Sequence, residues 1–139
     1  MTDPQRRPLA AFLAACFLAA GLAPAGAARA QDAKEPTAEQ VEFFEKKIRP
    51  VLIEKCYSCH SHQAKKLKGE YYLDARESMI KGGESGNAAI VPGDAEKSPF
   101  IAMIRRTDED EAMPPKEKDA LSKEQVADFE AWVKMGVPD

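Results

Sequence analysis

The chain is short of cysteine and histidine, with three and two in 139 residues. Cys16 lies in an apolar N-terminal run, so only Cys56 and Cys59 belong to the remaining sequence, and no spare thiol exists for a structural disulfide. Positive charge is not in excess: 20 Lys and Arg face 23 Asp and Glu, and no basic stripe is present, which argues against nucleic-acid binding. No segment alternates apolar and polar residues as a half-buried strand does, and no internal repeat is visible. Gly82-Gly83-Glu84-Ser85-Gly86 looks like a phosphate loop only superficially, since it lacks the G-x-x-x-x-G-K-[ST] spacing and a preceding strand. A long membrane span is also missing: the apolar stretch from Leu9 to about Ala25 is short and is broken by Gly21 and Pro24.

What is present is concentrated in Cys56-Tyr57-Ser58-Cys59-His60. This is C-x-x-C-H, the attachment signature of c-type haem. Two thiols add to the haem vinyl groups as thioethers, and the adjacent imidazole ligates the iron from one side. On a helix, Cys56 and Cys59 are i, i+3, while Cys56 and His60 are i, i+4, so one face would carry both porphyrin bonds and the axial ligand. A thioredoxin-like C-x-x-C needs a βαβ setting, and the flanks here read helical. Zinc on Cys56, Cys59, His60 and His62 would crowd four ligands into one short segment, where structural sites draw on two separated pairs. A disulfide between Cys56 and Cys59 is the plain alternative.

The N-terminus fits an exported haem protein. Arg6 and Arg7 form a positive n-region, the apolar run follows, and Ala28-Arg29-Ala30 is an A-x-A-like site. Residues 1–30 therefore read as a signal peptide cleaved after Ala30. Leu13-Ala14-Ala15-Cys16 faintly resembles a lipobox, but the apolar run continues past Cys16, so lipid anchoring is the lesser reading. In bacteria haem is attached to C-x-x-C-H outside the cytoplasm, and a periplasmic location is expected, with no stable membrane span after cleavage. Removing 30 of the 139 residues leaves 109, enough for one small domain, with 17 basic and 22 acidic side chains and a net charge of −5.

Residues 31–36 read as a polar linker and residues 37–139 as the domain. Thr37-x-x-Gln40 is a capping box opening a helix over about 38–49, with Val41, Phe44 and Ile48 on one apolar stripe. Pro50 is expected to break or kink that helix. Asp74-x-x-Glu77 is a second capping box, for a short helix stopped by Gly82. Ser98 with Pro99 starts another, ending at Arg105 and Arg106. Ser122-x-x-Gln125 is a third box, for a helix carrying Val126, Phe129 and Val133 with Trp132 beside them, ended by Gly136 and Pro138. The expected fold is all-α. Trp132 and Phe44 read as core aromatics where the first and last helices cross.

An axial haem iron has a second open position, which cytochromes c often fill with methionine. Met79, Met103 and Met135 fall inside expected helices, where packing is the simpler role. Met113 falls in a loop between Asp108–Glu111 and Pro114-Pro115, two prolines that stiffen it, and is the candidate distal ligand. His62 sits two residues after His60 and should not reach the far face. Arg76 and Asn87 are candidate propionate partners, with ordinary surface roles as the alternative. Lys65, Lys66 and Lys68 would steer an acidic redox partner or simply be solvated.

Taken together these segments resemble the planctomycete-type cytochrome c domain. The resemblance is carried by Ile48-Arg49-Pro50-Val51-Leu52, the C-x-x-C-H motif, Leu67-Lys68-Gly69, Leu73-Asp74-Ala75-Arg76 and Gly82-Gly83-Glu84-Ser85-Gly86. Ile90-Val91-Pro92-Gly93-Asp94, Ser98-Pro99, Met113-Pro114-Pro115-Lys116 and Leu121-Ser122…Trp132-Val133 extend it over nearly the whole of residues 37–139. It implies a small cytochrome c-like fold of about five short helices around one covalent haem c, held by Cys56 and Cys59, with His60 and Met113 as axial ligands. Family members are often N-terminal modules of larger exported proteins; this chain stops after the domain, so a free-standing electron carrier is expected, without catalytic residues and with redox proteins as partners. The alternatives are a haem peroxidase or gas sensor with a displaceable distal methionine, and a haem module docked in a larger complex.

Overall fold

The computed structural model describes residues 35–139. The expected leader, its cleavage site, Cys16 and most of the linker lie outside the described residues. Among those described there is no β-strand, and no helix is long and apolar enough to cross a membrane. The expected all-α class is what is found.

Thr37 caps the first helix as its sequence requires: its Oγ1 accepts from the Gln40 amide at 3.3 Å, and Gln40 Oε1 accepts from the Thr37 amide at 2.9 Å. Helix α1 (Ala38–Phe43) passes without a gap into a π-helical turn (Phe44–Ile48), a short α2 (Arg49–Val51) and a second π turn (Leu52–Cys56). Of the break or kink expected at Pro50, the break does not occur. The wider turn before it, in which the Arg49 amide donates to Phe44 O five residues back, opens the backbone where the proline ring needs room and supplies no donor. Its consequence for function is that the helical run delivers Cys56 at its end.

Helix α3 (Arg76–Lys81) starts without the expected Asp74 cap. The Asp74 carboxylate instead accepts from the His62 amide at 2.8 Å and pairs with His62 Nδ1 at 2.9 Å. Gly82, at φ 88°, ends the helix as expected. Helix α4 (Pro99–Arg105) begins at Ser98-Pro99, but the buried Ser98 hydroxyl does not cap it: it accepts from the Val91 amide at 2.9 Å and donates to Asp94 O at 2.8 Å. A 3₁₀ turn (Glu117–Asp119) leads to α5 (Lys123–Lys134), which Ser122 and Gln125 cap reciprocally.

The core forms where α5 lies against the first π turn and α4. Phe44 and Trp132 stack with centroids 6.0 Å apart, Phe129 meets Trp132 edge-on at 5.9 Å, and Phe100 packs on Phe129 at 5.5 Å. Such pairs add ~1 kcal/mol each beyond the burial of their area. The crossing of first and last helices at Phe44 and Trp132 is therefore as the sequence implied. The C-terminus is pinned to this core: Trp132 Nε1 donates to Pro138 O at 2.6 Å, and Arg76 donates to Val137 O and Gly136 O at 2.8 and 3.0 Å.

Candidate haem site

Beyond Cys56 the chain leaves the helical run in one more turn. The Cys59 and His60 amides both donate to Cys56 O, at 3.1 and 2.9 Å. Residues 57–60 are thus a turn rather than a regular helix, yet the i, i+4 backbone bond keeps Cys56 and His60 in the one-face relation expected. Two further backbone bonds lock this turn to the next segment: Lys68 N–H to Cys59 O at 3.0 Å, and Leu73 N–H to His60 O at 2.8 Å.

Both thiols are free; Cys56 is buried and Cys59 exposed. Burial, and secondarily the neighbouring Cys59, pushes the Cys56 thiol up to about 12. His60 Nδ1 lies 3.1 Å from Tyr71 O. A carbonyl partner requires Nδ1 to carry the proton, which leaves the Nε2 lone pair available to a metal. Tyr71 is itself anchored, its hydroxyl donating to Met79 O at 2.9 Å and its ring standing edge-on to the imidazole at 5.8 Å. Burial raises its phenol well above the ordinary value.

These groups line one cavity of about 270 Å³, and Met113 lies on the wall of the same cavity. Leu73, Ala89, Phe100, Ile104 and Pro114 supply apolar surface, while Lys55, Glu84 and Ser85 supply polar groups. The Met113 segment is tied down by its own amide, which donates to Met103 O at 3.0 Å, and by Arg106 Nη1, which donates to Pro114 O at 2.7 Å. The glycine loop packs against the segment leading to Tyr71: Glu84 N–H donates to Gly69 O at 2.8 Å, and a Cβ on Gly83 would lie 2.0 Å from that oxygen. Only glycine permits so close an approach. The glycine loop is thus a close-packed edge of the site, with Gly83, Glu84 and Ser85 all lining the cavity.

The donor set fits a covalently attached haem: two thiols, an imidazole presenting Nε2, and a thioether around apolar walls. It does not resemble a zinc cage, and no group of three or more His, Cys, Asp or Glu placed to hold a metal ion occurs among the described residues. The structure brings Cys56, Cys59, His60 and Met113 together and leaves His62 outside, exposed beside Asp74 and stacked on Tyr72. Arg76 and Asn87 do not line the cavity, and Arg76 is committed to the C-terminal carbonyls. Lining residues that the sequence did not single out for the site include Lys55, Tyr71 and Met103, besides apolar wall residues such as Ala89, Phe100 and Ile104. Lys55 had a signal, its place directly before Cys56. The Tyr71 contribution is a backbone carbonyl and had none.

Residues 56–117 match the family model described as planctomycete cytochrome C, a stretch that includes the C-x-x-C-H motif, the glycine loop and Met113. This supports the planctomycete-type cytochrome c domain read from the sequence, and with it a haem-binding cytochrome. No curated protein and no solved structure matches the chain.

Proposed function

We propose that the chain is an exported, periplasmic monohaem cytochrome c that carries single electrons, with Cys56 and Cys59 bonded to the haem and His60 and Met113 as axial ligands. The observation that carries this reading is the convergence of both thiols, the imidazole and the Met113 side chain on one largely apolar cavity. When bound, haem supplies a one-electron Fe(III)/Fe(II) couple. The chain's own residues then have separable tasks. Cys56 and Cys59 fix the group covalently. Tyr71 O holds the His60 tautomer and ring orientation. Leu73, Phe100 and Ile104 exclude water, and the Met113 thioether favours the reduced iron. Catalysis on a substrate is no part of the proposal.

The test is an optical spectrum of protein exported alongside c-haem maturation machinery, before and after dithionite, with acid-acetone extraction. Sharp low-spin reduced bands and haem that resists extraction are expected. A colourless protein would remove haem from the reading and return Cys56 and Cys59 to disulfide chemistry. One observation favours a second reading, a gas- or peroxide-binding haem protein: Met113 is 37% exposed, so its side of the cavity is open to solvent and small molecules. Exclusion of carbon monoxide by the reduced protein supports the carrier, and rapid binding at neutral pH supports the alternative.

A further inference from the structure

Arg106 ends α4 at φ 58° and ψ 44°, the left-handed region that a residue with a Cβ enters at a cost and glycine enters freely. Helices that end this way usually place glycine there. Here a long cationic side chain occupies the position, and its Nη1 reaches Pro114 O at 2.7 Å. Strain kept for the sake of a side chain is a reason to ask what that side chain does.

Its target is informative. Pro114 follows Met113 directly, and neither Pro114 nor Pro115 has an N–H, so this loop can be fastened through its carbonyls but hardly through its amides. The one amide at its head, that of Met113, donates to Met103 O on α4 at 3.0 Å. A planar guanidinium is suited to hold a carbonyl in a fixed direction. The two bonds bracket Met113, one on its own amide and one on the next residue's carbonyl.

We infer that Arg106 is the positioning residue of the methionine loop: it clamps the Pro114 carbonyl to the end of α4 and thereby holds the Met113 side chain at the cavity wall. The consequence for iron ligation rests on the function proposed above; the clamp itself does not.

The test uses the haem-loaded protein and two substitutions, Arg106→Gly, which relieves the left-handed strain, and Arg106→Lys, which keeps a cationic donor. Three properties are read: amide exchange at Met113, the Met–iron charge-transfer band with carbon monoxide binding, and the melting temperature. In Arg106→Gly the Met113 amide loses protection by about tenfold, the scale of one ordinary hydrogen bond. Carbon monoxide binds faster by a similar factor, while α5 amides and the melting temperature hold. Arg106→Lys restores part of both. Unchanged Met113 protection in Arg106→Gly overturns the inference, as does an equal loss of protection in α5, which would make Arg106 merely structural. A wild-type protein without the charge-transfer band sinks the Met113 ligand assignment instead, and the exchange data still decide the clamp.

Discussion

The His60 wall of the cavity and the Met113 wall are held by different means. Around His60 the restraint is mostly backbone: His60 N–H to Cys56 O, Leu73 N–H to His60 O, Lys68 N–H to Cys59 O, and the ring nitrogen on Tyr71 O at 3.1 Å. Met113 lies in a loop, between buried Ala112 and buried Pro114, and depends on its own amide and one guanidinium. A wall built mostly from backbone bonds resists most single substitutions, because a side-chain change other than to proline leaves backbone donors and acceptors in place. A wall held by a side chain is open to tuning by one residue. Under the proposed function, the asymmetry would suit a site whose covalent side must form reliably and whose other ligand sets the potential.

The firmest way to break the His60 wall is therefore to push its backbone apart. Alanine at Gly83 would place a Cβ 2.0 Å from Gly69 O and 2.9 Å from Tyr71 Cβ, neither of which can swing aside. Gly83→Ala is expected to cost about 3 kcal/mol, read as a lowered urea midpoint. Next comes Tyr71→Phe, which leaves Met79 O without its phenol donor and is expected to cost about 1.5 kcal/mol. Because His60 binds the Tyr71 backbone carbonyl, the reduced spectrum of Tyr71→Phe should not change. A shifted spectrum would mean that the ring, not the carbonyl, orients the imidazole. On the opposite wall Met113→Ala should alter stability by less than about 1 kcal/mol, since the side chain is exposed, yet open the reduced protein to carbon monoxide. A spectrum untouched by that substitution would point to another distal ligand, and Met103, which lines the same cavity, would be examined next.

The same contrast explains what could be read from the sequence. Features fixed within four residues were legible: the Thr37 and Ser122 capping boxes, the stop at Gly82, and the one-face relation of Cys56 and His60, though not the turn that carries it. Features decided by distant partners were not. Asp74 has the right spacing to cap α3, but His62, twelve residues earlier, takes its carboxylate. Arg76 was a candidate for the haem edge, but carbonyls 60 and 61 residues away hold it. Pro50 signalled a break that a π turn absorbs, with Phe44 and Ile48 of that turn buried in the core. Of the site, Cys56, Cys59, His60 and Met113, singled out by chemical type, line the cavity, while Lys55 was not singled out, and Tyr71 and Met103 enter through chain geometry, as a carbonyl and as a neighbour on α4.

The smallest effect near neutral pH, and the sharpest probe of the His60 wall alone, comes from the two thiols before haem attachment. Cys56 is 8% exposed and Cys59 is on the surface, three residues apart. Burial of Cys56 favours its neutral form and moves its titration from the ordinary 9.0 up to about 12. The sign follows from proton counting. Below the ordinary value both folded and unfolded chains keep the proton, so the group contributes nothing that varies with pH. Between about 9 and 12 the unfolded chain releases the proton and the folded chain retains it, so stability falls as pH rises through that window. Haem-free protein should therefore show urea midpoints that decline above about pH 9 and less decline in Cys56→Ser. Alkylation adds a check that needs no unfolding. Only the thiolate reacts quickly, and Cys56 is both buried and held in its neutral form, so the exposed Cys59 should be modified well before it. Equal rates at the two positions would show that the end of the helical run opens readily, and the contrast between a backbone-locked wall and a clamped loop would lose its first term.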